Sequence, residues 1–133
     1  AGKIAHVAGT NFDAAHLAAF AGAGVPLTSI QVQYSLLDRR PAGAFTATAA
    51  ASGTGLICYG ALAGGFLSDR WLGQPDPAET LTNRSLIKYR LIIDECGGWD
   101  AFQALLATLA GIAAVHAVPI SAVAARWVLD QPG

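Results

Sequence analysis

Apolar and polar positions along the chain change period several times, and each change marks an element. Lys3-Ile4-Ala5-His6-Val7-Ala8 has the residues of a short strand and runs into Gly9-Thr10-Asn11-Phe12-Asp13, where Asp13 is placed to cap a helix from Ala14 to Ala21. Gly22 and Gly24 stop that helix. After Val25-Pro26, Ile30-Gln31-Val32-Gln33-Tyr34-Ser35-Leu36 alternates as a strand does, with Gln31, Gln33 and Ser35 on one face and Val32, Tyr34 and Leu36 on the other. Asp38-Arg39-Arg40-Pro41 ends it at a polar rim, because proline cannot donate to a ladder. An Ala/Thr-rich segment follows, closing at Ser52-Gly53-Thr54-Gly55, and Leu56-Ile57-Cys58-Tyr59 is then short and apolar enough for a buried parallel strand.

Beyond Tyr59 the pattern becomes helical. The glycine-rich loop 60–65 gives way to Asp69-Arg70-Trp71-Leu72-Gly73-Gln74-Pro75-Asp76-Pro77, a long loop of turn formers with aromatic and charged anchors. Three helices are expected after it: one capped by Ser85 and running through Asp94 to the break at Gly97-Gly98, one from Trp99 to His116, and one from Ala122 to Asp130 capped by Ser121. Short strands alternating with helices point to parallel α/β structure. Three parallel strands alone would leave two bare edges, so something beyond the 133 residues is expected to cover them.

Composition narrows the function. At 53% hydrophobic and 13% charged, against roughly 25% charged in ordinary soluble domains, the chain has little polar surface. Its net charge of -1 offers no basic field, so neither nucleic acid nor an anionic membrane surface is an expected partner. The stretch Ala42 to Ser68 has no charge, but its glycines and weakly inserting Ala and Thr argue against a membrane span. Cys58 and Cys96 lack metal or disulfide spacing and read as buried thiols of a reduced compartment, with the cytoplasm as the expected location. With neither a secretory signal nor a methionine, the sequence reads as an excerpt.

No self-sufficient catalytic set is legible. Gly53-Thr54-Gly55 begins like a dinucleotide fingerprint but lacks the third glycine and precedes a strand, so it reads as a turn. His6 on a strand, His16 on a helix and His116 near a helix end read as structural, and no metal site is expected.

Five stretches resemble, in order, the second half of an aldo-keto reductase: Gly2-Lys3-Ile4-Ala5-His6-Val7 with Thr10-Asn11-Phe12-Asp13, the run Gln31 to Pro41, Tyr59-Gly60-Ala61-Leu62-Ala63-Gly64-Gly65-Phe66-Leu67-Ser68, Gly97 to Phe102, and Ala125 to Pro132. The resemblance covers nearly the whole chain. It implies that residues 1–133 are the C-terminal half of a (β/α)8 TIM barrel, a partial barrel whose three parallel strands are the fifth to seventh, with the cofactor at the C-terminal rim. It implies NADP(H) as cofactor and carbonyl reduction as chemistry. Carried over by motif, Thr10, Asn11 and Gln31 would hold the nicotinamide carboxamide, Tyr59 would stack on the ring, and Gly60, Leu62 and Gly64 would lie beside the pyrophosphate. The family's catalytic Asp, Tyr, Lys and His lie on its first four strands, so no residue here is assigned as catalytic. Two functions follow as expectations: the nicotinamide-binding side of a carbonyl-reducing oxidoreductase, with weak or absent binding in the chain alone, or a non-catalytic half-barrel that acts as a structural or ligand-binding module. The expected partner is the missing barrel half or a second copy of the chain.

Overall fold

The computed structural model describes residues 2–133. Its order is β1 (Ala8–Thr10), α1 (Ala14–Gly22), β2 (Ser29–Gln33), α2 (Ala44–Ala51), β3 (Gly55–Tyr59), then α3 (Arg84–Glu95), α4 (Gly98–His116) and α5 (Ile120–Leu129). The strands form one parallel sheet in the order β1-β2-β3. In register, Thr10 faces Gln31 and Gln31 faces Ile57, while Gln33 faces Tyr59.

The first strand starts later than its apolar residues imply. Pairing begins at Ala8, preceded by a single ladder bond from Thr28 N to Val7 O (2.9 Å), and Ile4 is exposed, so residues 3–6 run ahead of the ladder. His6 is therefore not on a strand; its ring meets Thr28 Oγ1 at 3.3 Å. The second strand is shorter than the alternation suggests. Ser35 leaves it, its Oγ accepting from Leu37 N and Asp38 N (3.2 and 3.1 Å), and this hydroxyl turn ends the ladder before Pro41 can.

One face of the sheet is covered. Ile30 and Val32 pack with Leu17 of α1 and Phe45 and Ala49 of α2. Asp13 caps α1 as expected, accepting from His16 N at 2.8 Å. On α2, which has neither charge nor marked amphipathicity, Thr46 and Thr48 return their hydroxyls to Gly43 O and Ala44 O (3.0 and 2.8 Å), so its polar groups are satisfied locally. The other face of the sheet is open: Thr10 and Gln31 are exposed, and Ile57 keeps 54% of its surface in solvent.

A second core joins the excursion after β3 to the last three helices. Phe66, Leu67, Ile93, Phe102, Leu106, Leu109, Ala113, Ile120 and Ala124 are buried together. By length and composition α4 is apolar enough to cross a membrane, and its residues 102, 106, 109 and 113 follow helical spacing into this core. Two caps differ from expectation. Asn83, not Ser85, starts α3, its Oδ1 accepting from Ser85 N and Leu86 N (2.8 and 3.3 Å); α5 starts after Pro119, not Ser121, with Asp69 Oδ2 accepting from Ile120 N (3.1 Å).

The long loop is stapled to α3 and α4. Arg90 donates from Nε to Asp76 Oδ1 (2.7 Å), lies over Trp99 and places Nη1 2.5 Å from Asp94 Oδ1, outside hydrogen-bond geometry. Trp99 Nε1 donates to Gln74 O, and Gln103 bridges Trp71 O and Gly73 N. At the far edge of β3, Leu56 N donates to Gly133 O (3.1 Å). Cys58 is half-buried, whereas Cys96 is exposed, contrary to expectation, because it lies just past α3 with only its thiol turned inward to Leu37 O (3.2 Å).

Candidate functional site

The site grows from the register of the sheet. In parallel strands, residues paired in register point the same way, so Thr10, Gln31 and Ile57, and one pleat further Gln33 and Tyr59, line the open face near the strand ends. Asn11 follows β1 with φ of 56°, a left-handed conformation that asparagine tolerates better than most residues. Its N–H donates to Gln31 O (2.8 Å), continuing the ladder, and its Oδ1 accepts from the Tyr59 hydroxyl at 3.0 Å. That bond spans the width of the sheet.

Among the described residues, the side chains of Thr10 and Gln31 and the Nδ2 of Asn11 make no hydrogen bond, whereas Asn11 Oδ1 is occupied by Tyr59. Three groups from two strand ends thus present free donors and acceptors on the face that carries the Tyr59 ring. This set suits a planar carboxamide, which needs both.

Beside them lies a chain of polar contacts that the sequence did not reveal. Gln33 is 95% buried, being 5% exposed, and both ends of its amide are used: Nε2 donates to Asp38 Oδ2 (2.7 Å) and Oε1 accepts from Lys88 Nζ, 55 residues away on α3. Asp38 also accepts from Arg40 Nε (2.8 Å) and Nη2 (2.5 Å). Burial pushes the Asp38 carboxyl up, but the hydrogen bonds and charge of Arg40 and the Gln33 amide outweigh it and hold the group below its ordinary value. The Lys88 ammonium lies 5.4 Å from the centre of the Tyr59 ring and 4.8 Å from that of Tyr89. Asn11, Phe12, Gln33, Arg40, Tyr59 and Lys88 line a concavity of about 580 Å³.

The three remaining predicted positions lie at the start of the excursion. Gly60 and Gly64 both have φ of 66°, and a Cβ on either would meet the Tyr89 side chain, at 2.5 Å from Oη for Gly60 and 2.6 Å from Cδ2 for Gly64. In this structure their lack of a side chain admits Tyr89. Leu62 packs its side chain against the second core, and its carbonyl accepts from Gly65 N and Leu67 N. Sequence reasoning missed Lys88, Tyr89, Asp38 and Arg40 as neighbours of the site. The buried Gln33 was the available signal, since a buried amide demands partners. Among the described residues no cluster of three His, Cys, Asp or Glu is placed to hold a metal ion.

A model of the Aldo/keto reductase family matches residues 1–133. The chain belongs to the aldo/keto reductase family. As a family member it contributes an α/β unit of three parallel strands and five helices, consistent with part of a barrel. It is also similar to flagellar radial spoke protein 5 of Chlamydomonas reinhardtii, 36% identical over 131 residues, covering 96% of this chain and 25% of that protein. The chain therefore spans about a quarter of the length of that relative.

Proposed function

We propose that the chain forms the nicotinamide-binding side of an NAD(P)H-dependent oxidoreductase that reduces aldehydes or ketones. One observation carries the reading: the Tyr59–Asn11 bond joins the outer strand ends around an aromatic ring, with the free side chains of Thr10 and Gln31 on the same open face. Thr10, Asn11 and Gln31 hold the carboxamide, and Tyr59 offers its ring as the stacking platform. Gly60, Leu62 and Gly64 are proposed to flank the pyrophosphate. The reduced nicotinamide, when bound, supplies the hydride. The proton comes from an acid outside these 133 residues, because none of the residues around Tyr59 is a carboxylic acid or imidazole free of a partner.

An isotope-labelled chain titrated with NADPH tests this. Amide shifts should cluster at Thr10, Asn11, Gln31 and Tyr59, and Gln31→Ala should weaken them. A ring stack and two or three neutral hydrogen bonds contribute a few kcal/mol against an ordering cost of similar size, so the dissociation constant should be about millimolar at best. Shifts confined to other surfaces, or tight binding unaffected by Gln31→Ala, would overturn the assignment.

A second reading is favoured by the open sheet face, where Ile57 is 54% exposed, together with the likeness to a radial spoke protein. In it the chain is a half-barrel module that buries this face against the remainder of a barrel or a second copy. A monodisperse, well-folded monomer in sedimentation would sink that alternative. In both readings Cys58 and Cys96 are free thiols, on which the proposal of a reducing, cytoplasmic setting rests.

A further inference from the structure

Lys88 reaches the strand ends from an element that is neither sheet nor strand loop. Its ammonium is anchored to Oε1 of the buried Gln33, whose other end is fixed by Asp38, so the cation has a defined place beside Tyr59. Among the described residues it makes no ion pair. The nearest carboxylate in the network, Asp38, is engaged by Arg40, and Asp13 on the rim of the same concavity pairs with His16. Within the Gln33 network, Lys88 and Arg40 against Asp38 leave one positive charge beside the ring, while the Asp13 carboxylate lies on the rim of the concavity next to His16.

Resting on the nicotinamide reading above, we propose that Lys88 makes this site discriminate by redox state, favouring the neutral reduced nicotinamide over the positively charged oxidised ring. The two cofactor forms share their phosphates, riboses and adenine, so every contact outside the ring cancels in the ratio of their affinities. What remains is one unit of ring charge, felt by a fixed ammonium in a concave, partly desolvated setting where fields are screened over about 8 Å at physiological salt. Two like charges near a protein surface at such separations repel enough to shift binding about fivefold. The consequence for turnover is directional: product cofactor is expelled more readily than substrate cofactor is bound.

The test is a pair of titrations, NADPH and NADP+, on the full 133-residue chain and on Lys88→Gln and Lys88→Arg, read by amide shifts at Tyr59 and Gln31. Lys88→Gln removes the charge while keeping a donor for Gln33, and Lys88→Arg keeps both. The native chain and Lys88→Arg should bind NADPH about fivefold more tightly than NADP+, with the ratio shrinking at high salt, and Lys88→Gln should bring it to about one. A merely structural role for Lys88 would weaken both forms equally. Binding of both forms at Tyr59 with a ratio unchanged by Lys88→Gln overturns this inference and leaves the nicotinamide reading standing. Tyr59 and Gln31 signals unmoved by either form in the folded native chain overturn both.

Discussion

The Tyr59 hydroxyl donates to Asn11 Oδ1 at 3.0 Å across a sequence separation of 48 residues, tying the end of the last strand to the residue after the first. Their meeting depends on β2 lying between them in register, which makes the bond a reporter of correct sheet assembly as well as part of the site.

Replacing Tyr59 by Phe should therefore leave the fold intact and cost about 0.5–1 kcal/mol, because the bond is solvent-exposed and the ring stays. Urea unfolding measures the loss. Asn11→Ala should cost more than Asn11→Gly, since the alanine loses the same acceptor and must also adopt φ of 56°. Equal stabilities for the two Asn11 variants would contradict this.

Gly64→Ala, like Gly60→Ala, should be a damaging small substitution at the strand-end loop. The new Cβ would sit 2.6 Å from Cδ2 of Tyr89, a ring packed in the second core at 7% exposure, and φ of 66° disfavours any side chain. A loss of about 1–3 kcal/mol is expected from strain and overpacking. Tyr89→Leu in the same chain should recover part of it, which a thermal melt of the double variant will show.

How far the sequence foretold this arrangement differs between local and distant contacts. The Asp13 cap, the glycine stops and the Gln31 and Tyr59 strands were legible because each depends on residues adjacent in sequence. The start of β1 was not, because ladder pairing decides it, and Ile4 is strand-like in type but exposed ahead of the ladder. Asn83 outcompeted Ser85 through a two-residue shift in backbone geometry, a difference propensity does not resolve. Lys88 and Tyr89 remained invisible as site neighbours because only tertiary packing carries α3 back over the strand ends.

The ion pairs set a direction for acid stability. Asp76 is held below its ordinary value chiefly by its hydrogen bond from Arg90, and Asp38 is lowered too, since Arg40 overcomes the opposing effect of burial. A carboxylate depressed in the fold binds its proton less readily there than in the unfolded chain. Its stabilisation is therefore present above the unfolded value and disappears as pH falls through the folded one. Stability should be level from neutrality to about pH 5 and decline below about pH 4. In Asp38→Asn the decline should be shallower. An acid limb unchanged in both Asp38→Asn and Asp76→Asn would show that other groups govern it.

The last expectation concerns turnover. Carbonyl reduction needs a proton donor positioned on the carbonyl oxygen as hydride arrives, a contribution typically of 10²–10⁴-fold, and a wall that keeps substrate against the ring. Around Tyr59 the acidic side chains are committed: Asp38 to Arg40 and Gln33, Asp13 to His16. Lys88 is bound to Gln33 and lies at the Tyr59 ring that serves as platform, and the Tyr89 phenol belongs to a residue only 7% exposed and is pushed above its ordinary value by burial, so neither is an available acid for a carbonyl on the substrate side of the slot. The 133-residue chain on its own should therefore show no NADPH oxidation above background with a simple aldehyde, followed by loss of absorbance of the reduced ring. Turnover that vanishes in Tyr59→Ala but persists in Lys88→Gln would mean that the chain assembles an acid from residues not brought together at Tyr59, and would refute the assignment of this chain as the cofactor side alone.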